Sequence, residues 1–267
     1  MRITWLGHAA FKLESNSCSI VFDPYKDDYV PGLSNIRETA DIVLMSHIQH
    51  DDHNGIEAVC LSERYTVSTD NSEIRVMDIC SGKPITDIII KKLETFHDHH
   101  NGKHRGSNTI HVVEADGFKL AHMGDIGFVE DFHDNEAFKM LLDLDLLILP
   151  VGGFYTIDAE EAVKYIQLLK PRMVIPMHFR NDVYGFGYDE IATVDDFIMK
   201  LKEAGIVETA EETTRETTGK SLGVNYGKAC GVNYQIEITS SSVVELKKND
   251  YVNPCKTIIL TPRLRIG

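Results

Sequence analysis

Directly after the apolar run Asp41 to Met45, the chain places three imidazoles and two carboxylates within seven positions, His47-Ile48-Gln49-His50-Asp51-Asp52-His53. Neutral imidazole and carboxylate are good ligands for Zn, Mn or Fe at ordinary pH, and a loop at a strand end turns several of them towards one point. A solvated polar loop is the competing reading, because histidine and aspartate are common on surfaces. It suits any one of these residues better than it suits all five together.

The same residue types recur at the ends of other apolar runs. Thr95-Phe96-His97-Asp98-His99-His100 follows one, His122-Met123-Gly124-Asp125 ends another and Pro176-Met177-His178 ends a third. Independent surface histidines have no reason to collect at strand termini, where α/β proteins assemble sites from loops along one edge. The expected scaffold is therefore mixed α/β, with helices outside sheets.

Short β-type runs are expected at Arg2 to Leu6, Ser19 to Phe22, Asp41 to Met45, Ile85 to Glu94, Thr109 to Glu114 and Lys119 to His122. Asp143 to Leu149 reads as a buried strand closed by Pro150, followed by a sharp turn at Gly152-Gly153. Asp158 and Glu161 form a capping box for a helix carried by Ala159, Ala162, Val163, Ile166 and Leu169, which Pro171 stops. Met173 to Pro176 returns to strand, and Thr193 to Ala204 reads as an amphipathic helix with Thr193 at its N-cap. Val207 to Gly231 lacks apolar periodicity and is expected to be a long loop or insertion. Tyr234 to Thr239 and Thr257 to Leu260 should complete a sheet edge. With no repeat and no Pro- or Ser-rich linker, residues 1–267 are expected to form one domain.

Composition narrows the partners. A formal charge of −14 disfavours polyphosphate chains and anionic lipid surfaces, so a small-molecule substrate is expected rather than nucleic acid. No apolar stretch is long enough to span a membrane, and the N-terminus lacks a signal peptide's apolar core. Five scattered cysteines without a CxxC pair argue against a disulfide framework or a thiolate zinc cage, which makes a reducing cytoplasm the expected location. Nothing in this composition speaks against a homo-oligomer.

Taken together, Trp5-Leu6-Gly7-His8-Ala9-Ala10-Phe11, Phe22-Asp23-Pro24, the histidine-rich loop, Gly124-Asp125, Leu149-Pro150-Val151-Gly152-Gly153 and Pro176-Met177-His178 resemble the metallo-β-lactamase superfamily. The nearest branch contains L-ascorbate 6-phosphate lactonase-like and related uncharacterised hydrolases, and the resemblance covers roughly residues 1–205 in matching order. It implies a four-layer αββα sandwich with one or two divalent metals, zinc first and manganese or iron as alternatives, at one edge between two sheets. In the family pattern HxHxDH, the first two histidines and a later one hold one metal. The aspartate, the third histidine and a final histidine hold the second.

His50, Asp52 and His53 match the HxDH half residue by residue, His97 is most similar to the later histidine, Asp125 matches the bridging aspartate and His178 the last histidine. His47 is offset, since Ile48 and Gln49 separate it from His50 where the family has one residue. Either the loop bulges and His47 still reaches the metal, or the first site loses a ligand; loops absorb insertions more readily than strands, which favours the bulge. Asp23 occupies the position from which this fold orients a ligand histidine, or else caps a turn before Pro24. For His8 and His122 a supporting role competes with that of an ordinary buried, hydrogen-bonded histidine. His99, His100 and His104 are surplus to the pattern.

The resemblance and the donor set imply a metal-dependent hydrolase in which activated water attacks an ester, lactone or phosphoester, with Asp52 as ligand or proton acceptor. A phosphodiesterase or nuclease on the same metals, and a non-catalytic metal-binding protein, are the alternatives. No GxxxxGK[ST] loop, GxSxG elbow or GxGxxG turn offers other machinery. Gly185-Phe186-Gly187-Tyr188 is either a lip over the site, with Phe154, Tyr155 and Tyr184 as wall candidates, or a plain aromatic-bearing loop.

Overall fold

In the opening motif, Gly7 and the left-handed backbone of His8 (φ 52°) reverse the chain, so that Arg2–Gly7 and Ala10–Glu14 pair as an antiparallel hairpin with Trp5 opposite Phe11. A computed structural model describes residues 1–129, 136–206, 222–224, 234–238, 241–247 and 255–260 of the chain. The hairpin belongs to a five-stranded sheet with the order Val243–Glu245, Arg2–Gly7, Ala10–Glu14, Ser19–Phe22, Ile42–Leu44. Its last two strands are parallel, so both end at the same edge, one running into Asp23 and the other into Ser46.

The second sheet has ten strands. Its centre is Met173–Met177, Leu146–Pro150, Phe118–His122, Ser107–Ala115 and Ile88–Phe96. The first three of these run parallel to one another, and the strands flanking them in chain order, Ser107–Ala115 and Ile88–Phe96, are antiparallel. Leu146–Pro150 and Met173–Met177 are apolar throughout, Phe118–His122 is apolar apart from Lys119 and His122, and all three are buried except for the half-buried Lys119 and Met173, as expected of strands covered on both faces. Because they share a direction, Asp125, Gly152 and His178, which follow their C-terminal ends, gather along one edge. The two sheets share one apolar core that runs from Trp5, Phe11 and Phe22 on one side to Val112, Leu147 and Ile175 on the other.

Helix content is low. Among the described residues there are two α-helices, Ala159–Leu169 and Val194–Glu203, packed on each other, and short 3-10 turns at Ile56–Ala58 and Glu136–Leu141. The capping box of the first helix forms, with the Glu161 N–H donating to Asp158 Oδ1 at 2.9 Å and the Asp158 N–H to Glu161 Oε2 at 3.1 Å. Thr193 is the N-cap of the second, without a side-chain cap bond.

Two differences from the sequence reading have physical causes. Tyr65–Asp70 and Glu73–Asp78 form a hairpin at the sheet's far edge; Tyr65–Asp70 is exposed apart from Tyr65, so it carries no alternating apolar signal. Val207 to Gly231 is not wholly a loop, because Leu222–Val224 is a strand paired antiparallel with Tyr234–Ile238 at the opposite edge. The rest of that segment, and Thr239, lie outside the described residues. Tyr234–Ile238 and Cys255–Ile259 do extend the sheet as expected.

Candidate metal centre

The edge where the strands end collects histidines and aspartates from loops that are distant in sequence. The ligand atoms of His47, His50 and His97 lie within 4.8 Å of one another, as do those of His8, Asp52, His53 and His178, and those of His47, His53 and Asp125. Asp125 is the common point: its Oδ2 is 3.1 Å from His53 Nε2, 3.1 Å from His97 Nε2 and 3.3 Å from His178 Nε2. All seven residues expected from sequence (His47, His50, Asp52, His53, His97, Asp125 and His178) are therefore brought together. The extra residue before His50 is accommodated in the loop, and His47 is buried beside His53 at a ring separation of 4.4 Å.

Local structure explains how these side chains are held. Asp125 follows Gly124, whose φ is 57° and where a Cβ would collide with the Asn108 side-chain oxygen and Ser46 Cβ, so only glycine fits. Asn108 then fixes the turn: its Oδ1 accepts the Asp125 N–H at 2.9 Å, and its Nδ2 donates to Met123 O at 3.0 Å and Thr95 Oγ1 at 2.9 Å. Gly152 is constrained in the same way, since a Cβ there would strike the His178 carbonyl. His8, Asp23 and His178 all adopt left-handed backbone conformations, at φ 52°, 41° and 54°. Such conformations cost about 1–3 kcal/mol each and persist where surrounding structure over-determines them, commonly at functional sites.

Asp23 lies beneath the cluster. Its Oδ1 accepts the Ser46 N–H at 2.6 Å, and its Oδ2 accepts the Ser46 hydroxyl at 2.6 Å and lies 3.1 Å from His53 Nδ1. Between the two readings of Asp23, the geometry is that of a carboxylate orienting a histidine. Burial alone would raise this carboxyl, but the hydrogen bond and charge of His53 hold it well below the ordinary range. Asp125 is likewise raised by burial and held down more strongly by His178 and His53. His53, which burial would lower, is raised well above its ordinary value by the two carboxylates flanking it. His47 and His8 go the other way, each lowered to about 4 by burial and by neighbouring imidazoles, so both are neutral and available as donors at neutral pH.

The donor set fits a divalent transition metal. His8 Nε2, His47 Nε2, His53 Nε2 and Asp125 Oδ1 are buried without hydrogen-bond partners. Leaving such groups unmatched costs about 1–3 kcal/mol each. The spacings of 3.1 to 3.4 Å among His53, His97, His178, Asp125, His8 and Asp52 atoms match the edges of a coordination shell whose bonds are ~2.0–2.2 Å.

His8 and His122, for which a supporting role competed with that of an ordinary buried histidine, separate clearly. His122 is an ordinary buried histidine, with Nε2 2.9 Å from Ala9 O and Nδ1 accepting the Gly124 N–H at 3.3 Å. His8 has neither nitrogen hydrogen-bonded and sits 3.4 Å from Asp52 Oδ2, inside the cluster. The signal that would have picked it out is its position between two strands, at a turn aimed at the same edge. Asp51, by contrast, points away into an ion pair with Lys26 at 2.8 Å.

A cavity of about 410 Å3 opens over the cluster, lined by His50, Asp52, His97 and Asp125 with Tyr29, Tyr155, Tyr188 and Arg105. Of the wall candidates, Tyr155 lines this cavity and an adjoining one, Phe154 lines only the adjoining one and Tyr184 lines neither. Of the Gly185 to Tyr188 segment, Tyr188 reaches the cavity, while Phe186 is buried against Trp5 at 5.9 Å and Phe179 at 6.0 Å.

The chain is similar to known proteins in sequence and fold. The family model described as a β-lactamase superfamily domain matches residues 2–178. A UPF0173 metal-dependent hydrolase of Thermococcus onnurineus is 33% identical over 197 residues, covering 68% of this chain and 85% of the relative. One from Carboxydothermus hydrogenoformans is 30% identical over 198 residues, with the same coverage of 68% and 85%. Among solved structures, a Thermotoga maritima protein named as a Zn-dependent hydrolase of the metallo-β-lactamase superfamily is 27% identical, covers 97% of both chains and superposes with a TM-score of 0.57. A metallo hydrolase of Ignicoccus hospitalis shares the fold, with a TM-score of 0.51 at 21% identity over 76% of this chain and 91% of that one. The chain belongs to the metallo-β-lactamase superfamily, and it is one of its metal-dependent hydrolases.

Proposed function

We propose that the cluster is a dinuclear centre that hydrolyses a small-molecule ester, lactone or phosphoester. His47, His50 and His97 form one donor group, Asp52, His53 and His178 the other, with Asp125 between them. The observation that carries this reading is the convergence of three imidazoles on Asp125 Oδ2, beside buried ligand atoms without a hydrogen-bond partner among the described residues. Zinc suits this nitrogen-rich donor set best, with manganese and iron as alternatives.

A bound divalent cation supplies hydroxide at neutral pH, by lowering the pKa of water from about 15.7 to about 7, and polarises the electrophile. The chain's own part is orientation and water exclusion. Asp23 fixes the His53 ring through Nδ1, leaving Nε2 for the centre. Asp52 is raised by burial but held well below the ordinary carboxylate range by His8 and His53, which makes it a weak base and supports a ligand role over proton acceptance. Tyr29, Tyr155 and Tyr188 wall a cavity sized for a small molecule.

Elemental analysis of protein purified without added metal or chelator, run beside lactone, phosphodiester and thioester substrates, tests the reading. Near two equivalents of metal with one class turned over is the expected result. One equivalent or fewer, with no turnover after metal is restored, would remove it, and turnover of generic phosphodiesters alone would select the phosphodiesterase alternative.

A further inference from the structure

Arg105 lines the cavity over the metal centre and also an adjoining cavity of about 280 Å3 that His99, His100 and His104 enclose with Phe154 and Tyr155. Its Nη1 is buried without a hydrogen-bond partner among the described residues. An unmatched guanidinium is unusual in a chain with a formal charge of −14, where carboxylates outnumber cations. The acid that lines the adjoining cavity is already occupied: Asp98 Oδ1 accepts the N–H groups of His100 at 2.7 Å and Gly102 at 3.0 Å, and its Oδ2 those of His104 at 2.9 Å and Arg105 itself at 2.8 Å. His99 faces Glu161 at 3.5 Å.

The same contacts hold the guanidinium in place. Asp98 anchors the Arg105 backbone, and the guanidinium carbon lies 5.1 Å from the Tyr155 ring centre and 5.7 Å from that of Phe154. Cation–π attraction of this kind holds a guanidinium without using its N–H donors, whose fork matches a carboxylate or phosphate. An anchored arginine set over two aromatic rings, with Nη1 unpaired among the described residues, at the junction of two cavities, one of which holds the donor cluster, is placed to receive an oxyanion beside that cluster.

We infer that Arg105 is a specificity-determining residue: it receives a carboxylate or phosphate group of the substrate while the scissile bond lies over Asp125. Resting on the hydrolase reading above, this narrows the substrate to an acidic small molecule whose anionic group is distinct from the bond that is cleaved.

The test uses metal-loaded protein, the neutral ester 4-nitrophenyl acetate and the carboxylate ester mono-4-nitrophenyl glutarate, which share a leaving group. Arg105→Gln should raise KM for the glutarate ester about ten- to hundredfold, the loss expected for a charged hydrogen-bonded contact, and leave the acetate ester within about twofold. Arg105→Lys should restore part of the difference. Equal effects on both esters would overturn the inference. Calorimetric binding of glutarate and of inorganic phosphate to wild type and Arg105→Gln separates the two readings: if neither ester is turned over, hydrolysis is in question, and a weakened anion affinity in the variant still upholds Arg105. Unchanged affinity for both anions sinks it. Stronger loss for phosphate than for glutarate identifies the group as a phosphate, and the reverse identifies a carboxylate.

Discussion

Asp23 Oδ2 lies 3.1 Å from His53 Nδ1, on the side of the imidazole that faces away from the ligand cluster. A carboxylate in that position fixes the tautomer and raises the basicity of the opposite nitrogen. Asp23→Asn keeps the shape and removes the charge. Metal affinity should fall about 10–100-fold, read by competition with a chromogenic chelator, while far-UV circular dichroism stays unchanged. An unchanged affinity would mean that Asp23 serves only to bind Ser46.

His47 tests the altered spacing of the loop. His47→Ala should remove one of the two bound ions and spare the group formed by Asp52, His53 and His178, as measured by mass spectrometry of the intact holoprotein under native conditions. Retention of both ions would show that the loop carries His47 near the centre without ligation.

Gly124→Ala places a methyl group against Asn108 and Ser46 in a left-handed conformation. The expected cost is about 3 kcal/mol of unfolding free energy, with loss of metal, because the turn that aims Asp125 has to shift. Urea denaturation gives the first quantity and elemental analysis the second; a wild-type midpoint would contradict the clash.

His111 is buried beside the site without touching it, and burial lowers it to about 4 from an ordinary value of 6.5. Between those values the unfolded chain holds the proton and the folded chain does not, so stability rises with pH. The contribution is complete above about pH 6.5 and is lost as pH falls through about 4, amounting to roughly 3 kcal/mol. His111→Gln should therefore lose less stability than wild type between pH 7.5 and pH 4.5, measured as urea midpoints at fixed metal loading. Parallel losses in the two proteins would show that His111 does not titrate in this window.

The clustered histidines and aspartates of the candidate centre were legible because polar residues interrupt apolar runs at their ends, a pattern that survives without any tertiary information. The offset of His47 was legible as a question; its answer depends on loop geometry, which spacing alone does not give. His8 was not legible, because a single histidine after Gly7 looks the same whether its nitrogens meet carbonyls, as those of His122 partly do, or meet Asp52. Arg105 was hidden for a similar reason: that its Nη1 lacks a partner among the described residues is visible only once Asp98 has folded around four backbone N–H groups. In the hairpin of Tyr65–Asp70 with Glu73–Asp78 only Tyr65 and Val76 are buried, too few to give an alternating signal, and the strand Leu222–Val224 is short and flanked by polar sequence.

His8 follows the last residue of Arg2–Gly7 in the five-stranded sheet, and His178 follows the last residue of Met173–Met177 in the ten-stranded one; their rings are 4.0 Å apart, and the His178 N–H donates to His8 O at 3.4 Å. An ion shared by donors on these two loops is therefore a crosslink between sheets, closing a loop of most of the chain in the way a long-range disulfide would. Occupancy then governs how tightly the mouth of the sandwich is shut. On treatment with chelator, backbone amides at the ends of both strands should exchange with deuterium before those at the far edge of either sheet.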